Sequence, residues 1–253
     1  MKNQINRYIF SQTQFESASL TQLGFVVHQF HNDGLFLAEV SRYGKPAYTF
    51  QISISKKYTH QQISLDLEKL HPASKRSQQH KANKNCACEA VDQTFELLKG
   101  GYGLFYVGAG AGGYSVRTSP ADEKSKDVFN STELGDGDLF GITLLRPGKY
   151  TFIKKGEKRK LSIDVEPVKH DKKTKSQYTP PEPVRLDSQA FGKSKEIKLL
   201  SAQGLVYKAS GNDSISIALV KPYDNEDKDK SSKVAHRKKP YDGPAAKKTA
   251  SKR

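Results

Sequence analysis

The residues best suited to chemistry lie in short runs. Gly108, Gly110 and Gly113 follow the apolar run Leu104–Val107 with the G-x-G-x-x-G spacing of dinucleotide-binding turns. That fingerprint works where a helix opens at the last glycines, because the helix's first N–H groups and its dipole hold the pyrophosphate. Here Tyr114-Ser115-Val116-Arg117-Thr118 reads as a strand that Pro120 ends. The glycines are therefore expected in a flexible hairpin loop, where they supply positive φ.

Cys86-Ala87-Cys88, with His71 and His80 upstream, could be drawn as a metal site. C-x-C is not the C-x₂₋₄-C spacing of structural zinc, and the chain has no second cysteine pair. His28 and His31 stand three apart in a strand pattern, where their side chains point to opposite faces. No metal and no cofactor is expected.

Catalytic sets are also missing. Ser115, Ser162 and Ser216 have no G-x-S-x-G elbow around them. Asp136 and Asp138 flank Gly137, and Asp66 and Glu68 lie two apart. Paired carboxylates can do acid–base work, but Gly-Asp-Gly-Asp more simply forms a turn. Nothing aligns a nucleophile, a base and an oxyanion donor, so the expectation is a non-enzyme without catalytic residues.

These residues must be held by something, and the rhythm around them is that of strands. Tyr48, Phe50, Ile52 and Ile54 alternate with Thr49, Gln51, Ser53 and Ser55, which predicts a strand with one wet face. Residues 161–165 and 213–219 alternate likewise, while 24–31 and 35–41 are more continuously apolar and suit central strands. Asn32-Asp33-Gly34 carries a hairpin signal between these last two. Arg42-Tyr43-Gly44-Lys45, Arg146-Pro147-Gly148-Lys149, Lys155-Gly156-Glu157-Lys158 and Ser210-Gly211-Asn212-Asp213 punctuate the rest. Helices are expected over 86–99, where Val91, Phe95 and Leu98 share a face before Gly100-Gly101, and more weakly over 13–23. The predicted fold is mainly β: an antiparallel β-sandwich of one or two small modules with one or two short helices. One β-rich module would span 1–118. Residues 128–220 would form a second module or continue the same sandwich.

A pseudo-repeat can be drawn. Leu35-Phe36 leads to Tyr48-Thr49-Phe50 as Leu139-Phe140 leads to Tyr150-Thr151-Phe152, with a looser third unit over Leu104–Val116. This reads either as a duplicated module or as hairpins of like length drawing on the same few residues. Arg146–Phe152 resembles the closing hairpin of many β-sandwich modules, cupredoxin-like and transthyretin-like ones among them. A cupredoxin copper site would need a Cys, a His and a Met after it; His170 and His236 follow, but no Cys does and the one methionine is Met1, so no family is assigned.

Charge supplies the remaining signal. The 253 residues carry 42 Lys+Arg against 27 Asp+Glu, a balance of +15. Residues 230–253 hold nine basic residues against Asp242 alone, with almost no aliphatic side chain. A segment of that kind cannot offset its backbone entropy by burial, so 221–253 is expected to be a disordered basic tail. A second basic stretch runs over 146–175. Lys154, Lys155, Lys158, Arg159 and Lys160 in that stretch, and Arg237, Lys238, Lys239, Lys247 and Lys248 in the tail, are the candidate polyanion contacts. No apolar run is long enough to span a membrane, and no secretory leader is recognisable, so the expected compartment is the cytoplasm. The expectation is a non-catalytic protein that binds a protein partner or itself through a sheet face or edge. Nonspecific nucleic-acid or other polyanion binding is the alternative.

Overall fold

A computed structural model describes residues 8–72, 89–168 and 181–223. Alternating apolar and polar side chains become strands throughout, and the chain is mainly β. One five-stranded sheet contains β3 (Gly34–Arg42), β4 (Lys45–Ser55), β6 (Glu89–Leu98), β8 (Tyr114–Pro120) and β9 (Phe129–Asn130), in the order β6-β4-β3-β8-β9. A second contains β1 (Gln14–Glu16), β11 (Gly148–Lys154), β12 (Lys160–Glu166), β14 (Glu196–Leu200) and β16 (Ile215–Pro222), in the order β1-β16-β11-β12-β14. The third sheet has six strands: β2 (Gly24–Gln29), β5 (Gln62–Asp66), β7 (Tyr102–Tyr106), β10 (Leu139–Thr143), β13 (Val184–Asp187) and β15 (Gly204–Lys208). Their order is β13-β15-β10-β2-β7-β5. Three short helices are present among the described residues: α1 (Tyr8–Ser11), α2 (Leu67–Leu70) and α3 (Ser188–Lys193).

The three sheets share one contiguous core. Val26 and Phe140 of the six-stranded sheet, Tyr48 and Phe50 of the first five-stranded sheet, and Phe152 and Ile163 of the second all belong to it. Burying each such side chain contributes roughly 1.5–3 kcal/mol before chain entropy is subtracted. The described residues as far as Pro222 form one compact unit.

The sheet orders repeat. In the first half, β2 pairs antiparallel with β7 and β7 pairs parallel with β5, while β3 pairs with β4 and β8 and β4 pairs parallel with β6. Moving eight strands along, β10 pairs with β15, β15 with β13, β11 with β12 and β16, and β12 with β14, in the same directions. β5 and β13 each end on an aspartate, Asp66 or Asp187, that caps the following short helix. β1 precedes the first copy but pairs with β16, and β9 precedes the second but pairs with β8. Two copies of one seven-strand arrangement are thus joined through the antiparallel β2–β10 pair.

The chemistry of this exchange is the same at both ends. Phe15, Ser17 and Leu20 match Phe129, Ser131 and Leu134 in spacing and are all buried. The Ser17 hydroxyl accepts from Ile215 N–H, and the Ser131 hydroxyl accepts from Val116 N–H. Leu20 N–H donates to the Tyr114 carbonyl as Leu134 N–H donates to that of Asp213. Duplication is therefore present, but in a different register from the one the Tyr-Thr-Phe match suggests. Tyr48 lies in β4, whereas Tyr150 lies in β11, the counterpart of β3.

Other expectations need correction. Glu89–Leu98 is a strand, not a helix: β4 offers it a parallel partner, Phe95 packs edge-on against Phe50, and Leu97 is buried beside it. Tertiary pairing overrides the i, i+4, i+7 pattern there. Gly100 (φ 81°) and Gly101 then turn the chain into β7, where a Cβ on Gly101 would meet Leu97 and two carbonyl oxygens. The 13–23 segment forms β1 and a turn, with no helix. The Asp33-Gly34 turn does not make a hairpin, because β2 and β3 lie in different sheets. Arg146–Lys149 likewise leads from the six-stranded sheet into another, not around a closing hairpin, and the 108–113 loop links β7 to β8 across sheets. By contrast Tyr43 (φ 50°) and Gly44 (φ 73°) do close the β3–β4 hairpin.

Candidate functional site

The six-stranded sheet has two unlike faces. Val26, Leu65, Phe105, Phe140, Leu186 and Tyr207 point into the core. Their neighbours along each strand point the other way. Register sets those neighbours in two rows across the sheet. Tyr106, Phe25, Gly141, Val206 and Arg185 lie side by side on β7, β2, β10, β15 and β13. Ser64, Leu104, Val27, Leu139, Lys208 and Asp187 form the second row. Phe25, Val27, Leu104, Tyr106, Leu139 and Val206 are half-buried, and Tyr102 at the margin is 43 % exposed. The outer face is therefore apolar at its middle, whereas an antiparallel sheet left to water normally turns polar residues outward.

Gly141 shapes this surface. The Phe25 ring lies across it so closely that any Cβ there would collide with the ring. Beside the ring is a groove of about 630 Å³ lined by Phe25, Leu139, Val206 and Pro183, with the exposed cations Arg185 and Lys208 on its rim. Asp187 also lies at the rim, where its carboxylate caps α3 by accepting from Ala190 N–H. An apolar floor with two cations beside it can hold an apolar segment that carries negative charge.

Several titratable residues elsewhere are engaged with one another. Asp138 accepts from Gly135 N–H, as expected of a turn former, and also meets the His28 Nδ1 at 2.7 Å. The His28 ring stacks on Phe129. Asp66 caps α2 and accepts from Gly108 N–H, which gives the glycine loop a structural anchor. Glu68 accepts from the Tyr114 hydroxyl and pairs with Arg42, whose guanidinium lies 4.9 Å from the Tyr114 ring centre. Burial first, then the bond to Glu68, pushes the Tyr114 phenol pKa up. Burial and then Arg42 hold His71 below the ordinary histidine value. Among the described residues no group of three or more His, Cys, Asp or Glu is placed to hold a metal ion. Cys86, Cys88 and His80 lie outside the described residues.

The candidate basic residues divide. Lys154 is 13 % exposed and pairs with the fully buried Asp213 at 2.8 Å and with Glu157 at 3.0 Å. Burial works against its charge, but Asp213 and Glu157 outweigh that and raise its pKa. Asp213 also accepts from the Tyr207 hydroxyl, whose pKa burial pushes up to about 12. Lys155, Lys158, Arg159 and Lys160 are exposed together at the β11–β12 turn, with Arg159 donating to the Ser194 carbonyl. Arg237, Lys238, Lys239, Lys247 and Lys248 lie outside the described residues.

Phe25, Leu139 and Val206 escape a reading by periodicity. A strand apolar on both faces looks like one covered on both, which is how 24–31 reads. Nothing local in the sequence says that one face is open. No family model, curated protein or solved structure matches this chain.

Proposed function

We propose that this is a non-catalytic binding protein, built as a β-sandwich from two copies of one arrangement, that works through the outer face of its six-stranded sheet. The single observation that carries the reading is the row Tyr106–Phe25–Gly141–Val206–Arg185, an apolar strip half-open across five strands and ending at a cation. Apolar surface gathered in one place, not scattered singly, marks an interaction site. The sandwich reading rests on the alternating burial in all three sheets and on their single shared core. Arg185 and Lys208 at the rim, with the chain's balance of +15, favour a protein partner offering an apolar segment with acidic side chains over a second copy. The test compares wild type with Phe25→Asp by size-exclusion with light scattering, and by capture of partners from lysate. The wild type should form a complex that Phe25→Asp loses while its circular dichroism is unchanged. A strict monomer that retains no macromolecule would contradict it.

A second reading, nucleic-acid or other polyanion binding, has its own support. Lys155, Lys158 and Lys160 are exposed at one turn, and Arg159 is exposed beside them. Clustered cations bind polyanions by releasing counterions, without sequence preference and with steep salt dependence.

A further inference from the structure

A second cavity lies away from the sheet face and shares no lining residue with its groove. It measures about 300 Å³ and is bounded by the segment around β1, by the tip of the β3–β4 hairpin and by the glycine loop. Its lining chemistry is specific. Gln12, Gln14, Ser19 and Thr21 contribute amides and hydroxyls, Glu16 one carboxylate and Tyr43 an aromatic ring, and among the described residues no lysine, arginine or histidine lines it.

Gln12 is the telling residue. It is 8 % exposed, yet neither its amide oxygen nor its amide nitrogen has a hydrogen-bond partner among the described residues. Burying an amide in that state is costly, and native proteins seldom retain one without reason. The duplicated scaffold does not require it: counting back from the Phe15–Phe129 match, the position equivalent to Gln12 is Lys126, which is exposed. The other copy thus carries no amide at this position.

Tyr43 is the second. It is 65 % exposed at the cavity lip and sits at φ 50°, a conformation bulky side chains avoid. Its N–H donates to the Gly113 carbonyl, its ring lies against Gly113 where any Cβ would collide, and the Arg42 guanidinium lies 5.7 Å from its centroid. A residue exposed to this degree is nevertheless held in one place by the glycine loop.

From these residues we infer that the cavity binds one neutral sugar ring. Hydroxyl groups pair with amides, hydroxyls and a carboxylate, the C–H face of the ring lies on the tyrosine, and a volume at the small end of ligand pockets admits one ring and little more. Glu16, the one charged side chain among the described lining residues, disfavours phosphorylated and acidic ligands.

The test is saturation-transfer NMR on the full chain with glucose, galactose, mannose and N-acetylglucosamine at millimolar concentration, and with glucose 6-phosphate as the charged comparison. At least one neutral sugar should receive saturation at its ring protons, and the phosphate ester should receive less. Tyr43→Asn, which suits the positive φ of the turn, should abolish the signal. Gln12→Leu should weaken binding about tenfold or more while leaving the melting temperature unchanged or raised, because it removes a buried amide that folding alone leaves unpaired. A Gln12 that serves only the fold would show the reverse, a lower melting temperature with no sugar signal to lose. No transfer to any of the neutral sugars, or transfer that survives Tyr43→Asn, overturns the inference.

Discussion

Val26 and Phe140 face each other across the β2–β10 pair, and they are the same position in the two copies of the fold. Phe25 and Gly141 pair on one side of them, and Val27 and Leu139 pair on the other. Because Phe25 corresponds to Leu139 and Val27 to Gly141, a local twofold axis runs through the Val26–Phe140 pair. The axis explains why the outer strip is apolar in both halves. It also explains where the halves diverge: Tyr106 corresponds to Lys208, and Ser64 to Arg185, so the cations lie at one end only.

The equivalence makes a stability prediction. Ser17→Ala and Ser131→Ala each leave a buried N–H, that of Ile215 or Val116, without its acceptor. Each should cost about 1–3 kcal/mol in urea unfolding, and the two costs should be similar and nearly additive. A cost at one site only would break the equivalence.

The Lys154–Asp213 pair predicts a different pattern. Lys154→Met strands a carboxylate that is fully buried, so unfolding free energy should fall by about 3–5 kcal/mol. Adding Asp213→Leu should restore only part of it, since the desolvated charge goes too but the Tyr207 hydroxyl and the Ser210 N–H lose their acceptor. Chemical denaturation of the single and double variants measures both.

His71 should give the fold an acid-sensitive limb. Its folded pKa lies below the ordinary 6.5, mainly through burial and then through Arg42, with Glu68 opposing. The unfolded chain therefore takes up the proton first as pH falls. The stability contribution is present above about pH 6.5 and is lost as pH drops below it. Melting temperature followed from pH 8 to pH 5 should decline, and His71→Gln should flatten that decline.

For the polyanion reading, Lys155→Glu, Lys158→Glu and Lys160→Glu together should lower the slope of log K against log salt by about 2–3 for duplex DNA, if all three touch phosphate. Lys154→Met measures nothing here, because that ammonium already belongs to Asp213. Fluorescence anisotropy over a salt series reads the slope. An unchanged slope would remove the β11–β12 turn from the interface.

The sequence reveals those parts whose physics is local. The β3–β4 hairpin is legible because Tyr48, Phe50, Ile52 and Ile54 alternate and Tyr43-Gly44 supplies the turn. β6 is not legible, because its apolar spacing suits a helix and only the parallel edge of β4 decides the matter. The duplication shows as Phe-x-Ser-x-x-Leu near residues 15 and 129, too few residues to stand out against the more conspicuous Tyr-Thr-Phe match. Turn chemistry announces a reversal but not its destination, so Asp33-Gly34 reads as a hairpin while leading to another sheet. The outer strip and the Gln12 cavity are assembled from strands and loops far apart in the chain, and no window of sequence contains either.

The outer face of the six-stranded sheet is tested most directly by measuring the solution mass of the chain, with whatever it retains from lysate, for wild type and for Phe25→Asp side by side. The wild type should form a complex, and Phe25→Asp should be a folded, unaccompanied monomer. Equal behaviour of the two proteins, whether both bind or neither does, would contradict it.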